Sequence, residues 1–165
     1  ENFNRSVILL VDHSQSGSVG FILNKKLEYS TKEIMPELKF EFPIYNGGPV
    51  QQDNLYFIHN KSKLISGSLA IKNEIHWGGD FKKALDLINE KKIKSDEIKF
   101  FLGYSGWDKN QLENEIQSNS WIAVNHNKDD KILLEHCENI WKDNLTKLGG
   151  NYMIWSNSPE NPNHN

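Results

Sequence analysis

The chain has 165 residues, 37% hydrophobic and 11% aromatic against 25% charged. That length suits one domain burying roughly 70% of the surface its unfolded chain exposes, and the composition excludes a disordered chain. Its one cysteine, Cys137, excludes an intramolecular disulfide and any multi-cysteine zinc or iron–sulfur site.

Lys and Arg total 19 against 22 Asp and Glu, for a net charge of −3, and Arg5 is the only arginine. Proteins that grip DNA cluster cations on phosphates and use Arg for guanine edges, so this balance argues against direct DNA binding. No stretch approaches the ~20 apolar residues that span a bilayer, so no membrane role is expected. The chain starts at Glu1 rather than Met, so a cleaved leader would lie outside it. The cytoplasm is the expected compartment.

In chain order, Ser6 to Val11 is apolar and β-branched and reads as a strand buried on both faces. Ser14 to Ser18 is turn chemistry, and Val19 to Leu23 reads as the second strand of a hairpin. Leu27 to Phe42 is mixed. Asn46-Gly47-Gly48-Pro49 is a turn needing a permissive backbone. Leu55 to His59 is a strand, Ser68 to Trp77 is extended, and Ile98 to Tyr104 is a strong strand. Ser120 to Val124 reads as a short strand.

Three helices are predicted. Asp80 caps the first, with Ala84, Leu87 and Ile88 on one face. Asp108 caps the second, with Gln111 placed as in a capping box. The third runs from about Lys131 to Leu148 and stops at Gly149-Gly150. Strands dominate the first half and helices the second. The expected fold is α+β: a single domain over residues 1–155 with a mixed sheet and helices packed against it, then a flexible tail over 156–165.

Few residues offer chemistry. Gly103-Tyr104-Ser105-Gly106-Trp107 follows a strong strand, as a hydrolase nucleophile does, but Trp107 stands where G-x-S-x-G requires glycine. A structural turn is favoured. Gly78-Gly79-Asp80 and Gly106-Trp107-Asp108 precede helices and could hold a phosphate, but each ends in an Asp that would take the same N–H donors. Gly47 and Gly48 could form an anion- or carbonyl-binding nest, although a tight backbone crossing is the favoured reading.

The six histidines are scattered, and no H-E-x-x-H occurs. His13 and His59 lie at strand ends, where site residues often sit. His136 beside Cys137 is a weak dyad, because helix neighbours point about 100° apart. The lysines between Lys82 and Lys94 alternate with acids, as on a solvated helix face. The tryptophans read as core anchors, with Trp77 or Trp107 a possible groove wall.

Several segments together resemble the AlgH/YqgE family of bacterial proteins. They are Phe3 to Leu10 with His13, Gly17 to Asn24, Tyr45 to Val50 and Leu55 to His59. Trp77 to Asp80, Phe101 to Trp107, Gln111 to Glu115 and Ser120-Trp121 continue the match in order. Members usually carry a short segment before the Phe-x-Arg-Ser-Val stretch. The resemblance implies an α+β fold with a partly barrel-like sheet and a cytosolic bacterial protein. The family's customary label, transcriptional regulator, came from an effect on exopolysaccharide (alginate) production. It brings no catalytic residue to carry over.

The motif positions best suited to a shared ligand pocket are His13, Asn24, Gly47, Gly48, His59, Ser105 and Trp107, chosen for polarity and for their places at element ends. The expectation is therefore a regulatory protein acting through a protein or small-molecule partner, without catalysis, cofactor or metal, with homo-oligomers left open. The alternatives are a small-molecule-binding module, or a hydrolase-like enzyme with a composite site near Ser105, His13 and His59.

Overall fold

A computed structural model describes residues 3–72, 74–125, 132–133 and 139–158. Eight strands form one sheet: β1 (Ile8–Ser14), β2 (Gly17–Ile22), β3 (Lys26–Ser30), β4 (Pro43–Asn46), β5 (Val50–His59), β6 (Leu69–Lys72), β7 (Ile75–Trp77) and β8 (Ile98–Asp108). Five helices are found among the described residues: α1 (Thr31–Ile34), α2 (Phe81–Asn89), α3 (Gln111–Gln117), α4 (Ile140–Leu148) and α5 (Tyr152–Ser156). The order β1-β2-β8-β5-β7-β6 runs along the sheet, with β3 joined through β4. β8 is the hub, antiparallel to β2 and β5 and parallel to β4.

Side-chain alternation along β8 divides the core. Phe100 is paired with Phe57 of β5 and Ile44 of β4, and all three enter one cluster with Ala84, Leu87 and Ile88 of α2. One residue on, Phe101 enters a second cluster with Tyr45, Ile58, Phe21 and Leu23. Val7, Leu9 and Val11 around β1 pack against this second cluster, as do Ile71, Ile75 and Trp77 of β6 and β7. The two ends of the strand order therefore share one core, and the sheet curls into a nearly closed, barrel-like form. The α+β single domain expected from the sequence is the architecture found.

Asp80 caps α2 as expected, its Oδ1 accepting the Lys83 N–H at 2.9 Å. Elsewhere the elements differ from expectation. β1 is half-exposed, with Leu10 39% exposed, because it pairs only with β2 among the described strands and shows its other edge and one face to solvent. The predicted break after Tyr104 is absent: β2 continues the pairing through Ser105, Gly106, Trp107 and Asp108, opposite Gly20, Val19, Ser18 and Gly17.

Asp108 is consequently a strand residue, and Asn110 stands at the N-cap of α3. Half of the predicted capping box survives, the Asp108 N–H donating to Gln111 Oε1 at 2.9 Å. Residues 121–125 form no strand. Trp121 is instead held toward α3, where its indole N–H meets Glu115. The predicted third helix starts only at Ile140, with Asn139 at its N-cap; Ile132 and Leu133 form a turn, and Lys131 and residues 134–138 lie outside the described residues. Of the expected tail, Ser156 closes α5 and the Ser158 carbonyl accepts a hydrogen bond from Arg5, while 159–165 lie outside the described residues. Among the described residues no helix is long and apolar enough to cross a membrane.

Candidate functional site

The seven candidate residues fall in four places. Gly47, Gly48 and Ser105 meet at a backbone crossing. The Gly47 N–H donates to the Leu102 carbonyl at 2.8 Å, and its own carbonyl accepts the Ile22 N–H at 3.0 Å. The Ser105 hydroxyl, fully buried, donates to that same carbonyl at 3.0 Å. The Gly48 N–H is taken by Asn46 Oδ1 at 3.1 Å. A Cβ on Gly47 would collide with the Gly103 carbonyl oxygen, and one on Gly48 with the Tyr104 carbonyl. The nest amides are thus spent within the fold. Asn24 clamps the chain entering β1: its Oδ1 accepts the Val7 N–H at 2.9 Å and its amide donates to the Arg5 carbonyl at 2.8 Å.

His59 stands apart. Its register partner is Ile98, whereas Ser105 lies seven residues along the same strand, roughly 23 Å at strand rise. His59 is fully buried. Its Nδ1 accepts the Lys61 N–H at 3.0 Å, which places the proton on Nε2, the atom that donates to the Gly78 carbonyl at 2.9 Å. Burial pushes its pKa down, nearby His76 adds to that, and the Gly78 bond opposes it. The ring is a neutral strut tying β5 to the turn that starts α2.

His13 and Trp107 occupy the fourth place, on either side of Ser18. Ser18 pairs with His13 across the β1–β2 hairpin and with Trp107 across to β8. His13 Nδ1 lies 2.7 Å from Ser18 Oγ, and its Nε2 lies 3.7 Å from Glu113 Oε1. The histidine and glutamate side chains are 52% and 45% exposed, while Ser18 is buried. Beside them Glu115 gathers three donors: the indole N–H of Trp107 at 2.9 Å, that of Trp121 at 2.8 Å and the Gln111 amide at 2.9 Å. Burial would raise its carboxyl pKa, but these hydrogen bonds outweigh burial and hold it below the usual range. Phe3 completes the cluster against both tryptophan rings. Trp77 packs on Phe21 in the second core.

Sequence reading missed Ser18, Glu113 and Glu115 as site residues, although they lie in segments that carry the resemblance; the register of β1, β2 and β8, with α3 following β8, brings them together. It also missed the open groove, about 680 Å³, that runs between α1 and β5 over Leu55 and Leu102. No three His, Cys, Asp or Glu side chains come together as metal ligands among the described residues. His126, His136, Cys137 and His164 lie outside the described residues.

A hub strand shared by a barrel-like sheet, one face helix-covered and the backbone locked at a glycine crossing, defines an α+β class for which solved examples exist. A crystal structure of a Corynebacterium diphtheriae protein aligns with a TM-score of 0.72 at 20% identity, over 96% of this chain and 85% of that one. The solution structure of the AlgH protein from Pseudomonas aeruginosa aligns with a TM-score of 0.71 at 24% identity, over 94% and 85%. The AlgH-like family profile matches residues 1–153, and the chain belongs to that family. Relatives named UPF0301 protein include one from Cytophaga hutchinsonii, 40% identical over 162 residues (97% of this chain, 88% of that one), and one from Parabacteroides distasonis, 42% identical over 163 (97% and 82%).

Proposed function

We propose that this AlgH-like chain is a regulatory protein that works in the cytoplasm by touching a protein or small-molecule partner, without catalysing a reaction. The observation that carries this reading is the Ser105 hydroxyl. The one serine in a nucleophile-like sequence context is fully buried and donates to the Gly47 carbonyl, so among the described residues it meets no base, and its burial closes it to substrate. Regulation through direct DNA contact is not part of the reading. The net charge is −3, and the single arginine is engaged, its guanidinium 5.0 Å from the Trp141 ring centre and bonded to the Ser158 carbonyl.

A second reading rests on Ser18, His13 and Glu113. A hydroxyl, an imidazole and a carboxylate stand in line there, the arrangement a hydrolase uses. Against it, the 3.7 Å gap exceeds a hydrogen bond, and the two half-exposed groups face water, where electrostatic assistance is weak. The test is a rate screen of purified protein on chromogenic esters and phosphate esters. The contact reading expects rates at the buffer level for the native chain and for His13→Gln alike. Turnover that His13→Gln and Ser18→Ala both abolish overturns it in favour of hydrolysis.

A further inference from the structure

We infer that the groove between α1 and β5 is a docking site for a partner-protein segment that presents an apolar side chain flanked by Lys or Arg. The inference rests on the contact reading above and gives that contact a place and a chemistry.

The groove exists because α2 is short. Its residues Ala84, Leu87 and Ile88 share a core cluster with Phe57, Ile98 and Phe100 at one end of the sheet face. Farther along the same face, the register pair Leu55 and Leu102 stays only partly buried and forms the floor. The walls are Tyr29, Ile34 and Phe81, which are 40%, 40% and 36% exposed. A partner's apolar side chain placed there would leave water at about 25 cal/mol per Å² of apolar surface.

The polar lining chooses the partner. Three carboxylates, Glu33, Glu37 and Asp53, stand around this floor, and among the described residues the lining contains no Lys, Arg or His. Such a setting repels phosphate, nucleic acid and anionic lipid, and attracts a cationic segment. Glu33 is held in place and Asp53 is carried on a tied stretch of backbone. Glu33 Oε2 accepts the Ser30 N–H at 2.9 Å and its hydroxyl at 2.7 Å in a capping box. Asp53 sits on the bulge where β5 leaves its register with β8 between Val50 and Leu55. That bulge is tied by Gln51, whose Oε1 accepts from Asn54 at 3.0 Å and from the Tyr56 hydroxyl. A carboxylate fixed before binding, as that of Glu33 is, loses little freedom when a cation arrives.

The test uses a fluorescein-labelled peptide of sequence Lys-Arg-Leu-Phe-Lys-Arg, and a control with Glu at each basic position. Anisotropy should show binding of the basic peptide alone, weakened at least about tenfold by the double variant Glu37→Lys, Asp53→Lys and by raised salt. Both substituted side chains are exposed, so the variant should fold, which its unfolding curve checks. Amide shifts in an NMR titration should centre on Gln52, Asp53 and Phe81. Equal binding by native and charge-reversed protein, no binding of either peptide, or shifts centred elsewhere overturns the proposal. So does sedimentation showing a dimer that the double variant abolishes, since the occupant would then be a second copy. None of these failures touches the contact reading, which falls only to His13-dependent turnover.

Discussion

Two regions meet at Leu102. Its carbonyl accepts the Gly47 N–H and belongs to the crossing of Gly47, Gly48 and Gly103; its side chain lines the groove over Leu55. At the crossing, backbone lies against backbone, and every polar group described there has a partner inside the chain. In the groove, side chains bound a volume that no described residue fills. The contrast shows why a conspicuous motif can be a poor guide to function. Glycines and a buried serine announce themselves in sequence because their backbone geometry is special, and here that geometry serves the fold. A groove assembled from Tyr29, Phe81 and Asp53 has no local signature at all.

The contrast breaks most sharply at Gly47. Gly47→Ala puts a methyl into the Gly103 carbonyl, and that atom belongs to the hub strand, so neither side can yield by rotating a side chain. The expected loss is roughly 3–5 kcal/mol, among the largest that single substitutions produce. Urea unfolding at unchanged slope measures it. A loss below about 1 kcal/mol would mean the crossing is loose and its glycines are available for a ligand after all.

How much could be read beforehand follows the same division. The hub strand, the Asp80 cap and the hairpin were legible because each is local: a run of β-branched and aromatic residues, an acid three residues before an N–H, a turn between two strands. The resemblance supplied the barrel-like closure. The extension of β8 to Asp108 was not legible, because Gly106 and Trp107 read locally as a turn and only pairing with β2 overrides that preference. The grouping of site residues failed to be legible for a geometric reason. His59 and Ser105 both sit on or beside the hub, but seven residues of extended strand separate their registers.

His59 sharpens the comparison through pH. Its folded pKa lies below the ordinary value of about 6.5, so between these two values the unfolded chain binds a proton that the folded one does not. Stability is therefore fully present above about pH 6.5 and falls as pH drops below it, by at most about 1.4 kcal/mol per pH unit for one proton. The carboxyls of Glu33, Glu90, Glu97 and Glu115 are also held low, and what they contribute is lost only below their unfolded value, near 4.5. The window from pH 6.5 to 5 thus isolates histidine. Melting curves across it should fall more steeply for the native chain than for His59→Gln. Equal slopes would mean that the ring accepts a proton in the folded state and is no strut.

The smallest effect expected is that of Ser105→Ala, and its smallness is informative. The substitution removes one hydroxyl donor from the Gly47 carbonyl, but that oxygen keeps the Ile22 N–H at 3.0 Å and is not left unsatisfied. Only the net worth of one neutral hydrogen bond is lost, about 1 kcal/mol, and the removed atom is too small to leave a cavity that matters. The urea midpoint should shift accordingly, at unchanged slope. A loss as large as that of Gly47→Ala would mean that the hydroxyl, and not the missing side chain of Gly47, holds the three strands together. A gain in stability would mean that Ser105 is strained in its buried site, as functional side chains often are, and would reopen the case for chemistry at the crossing.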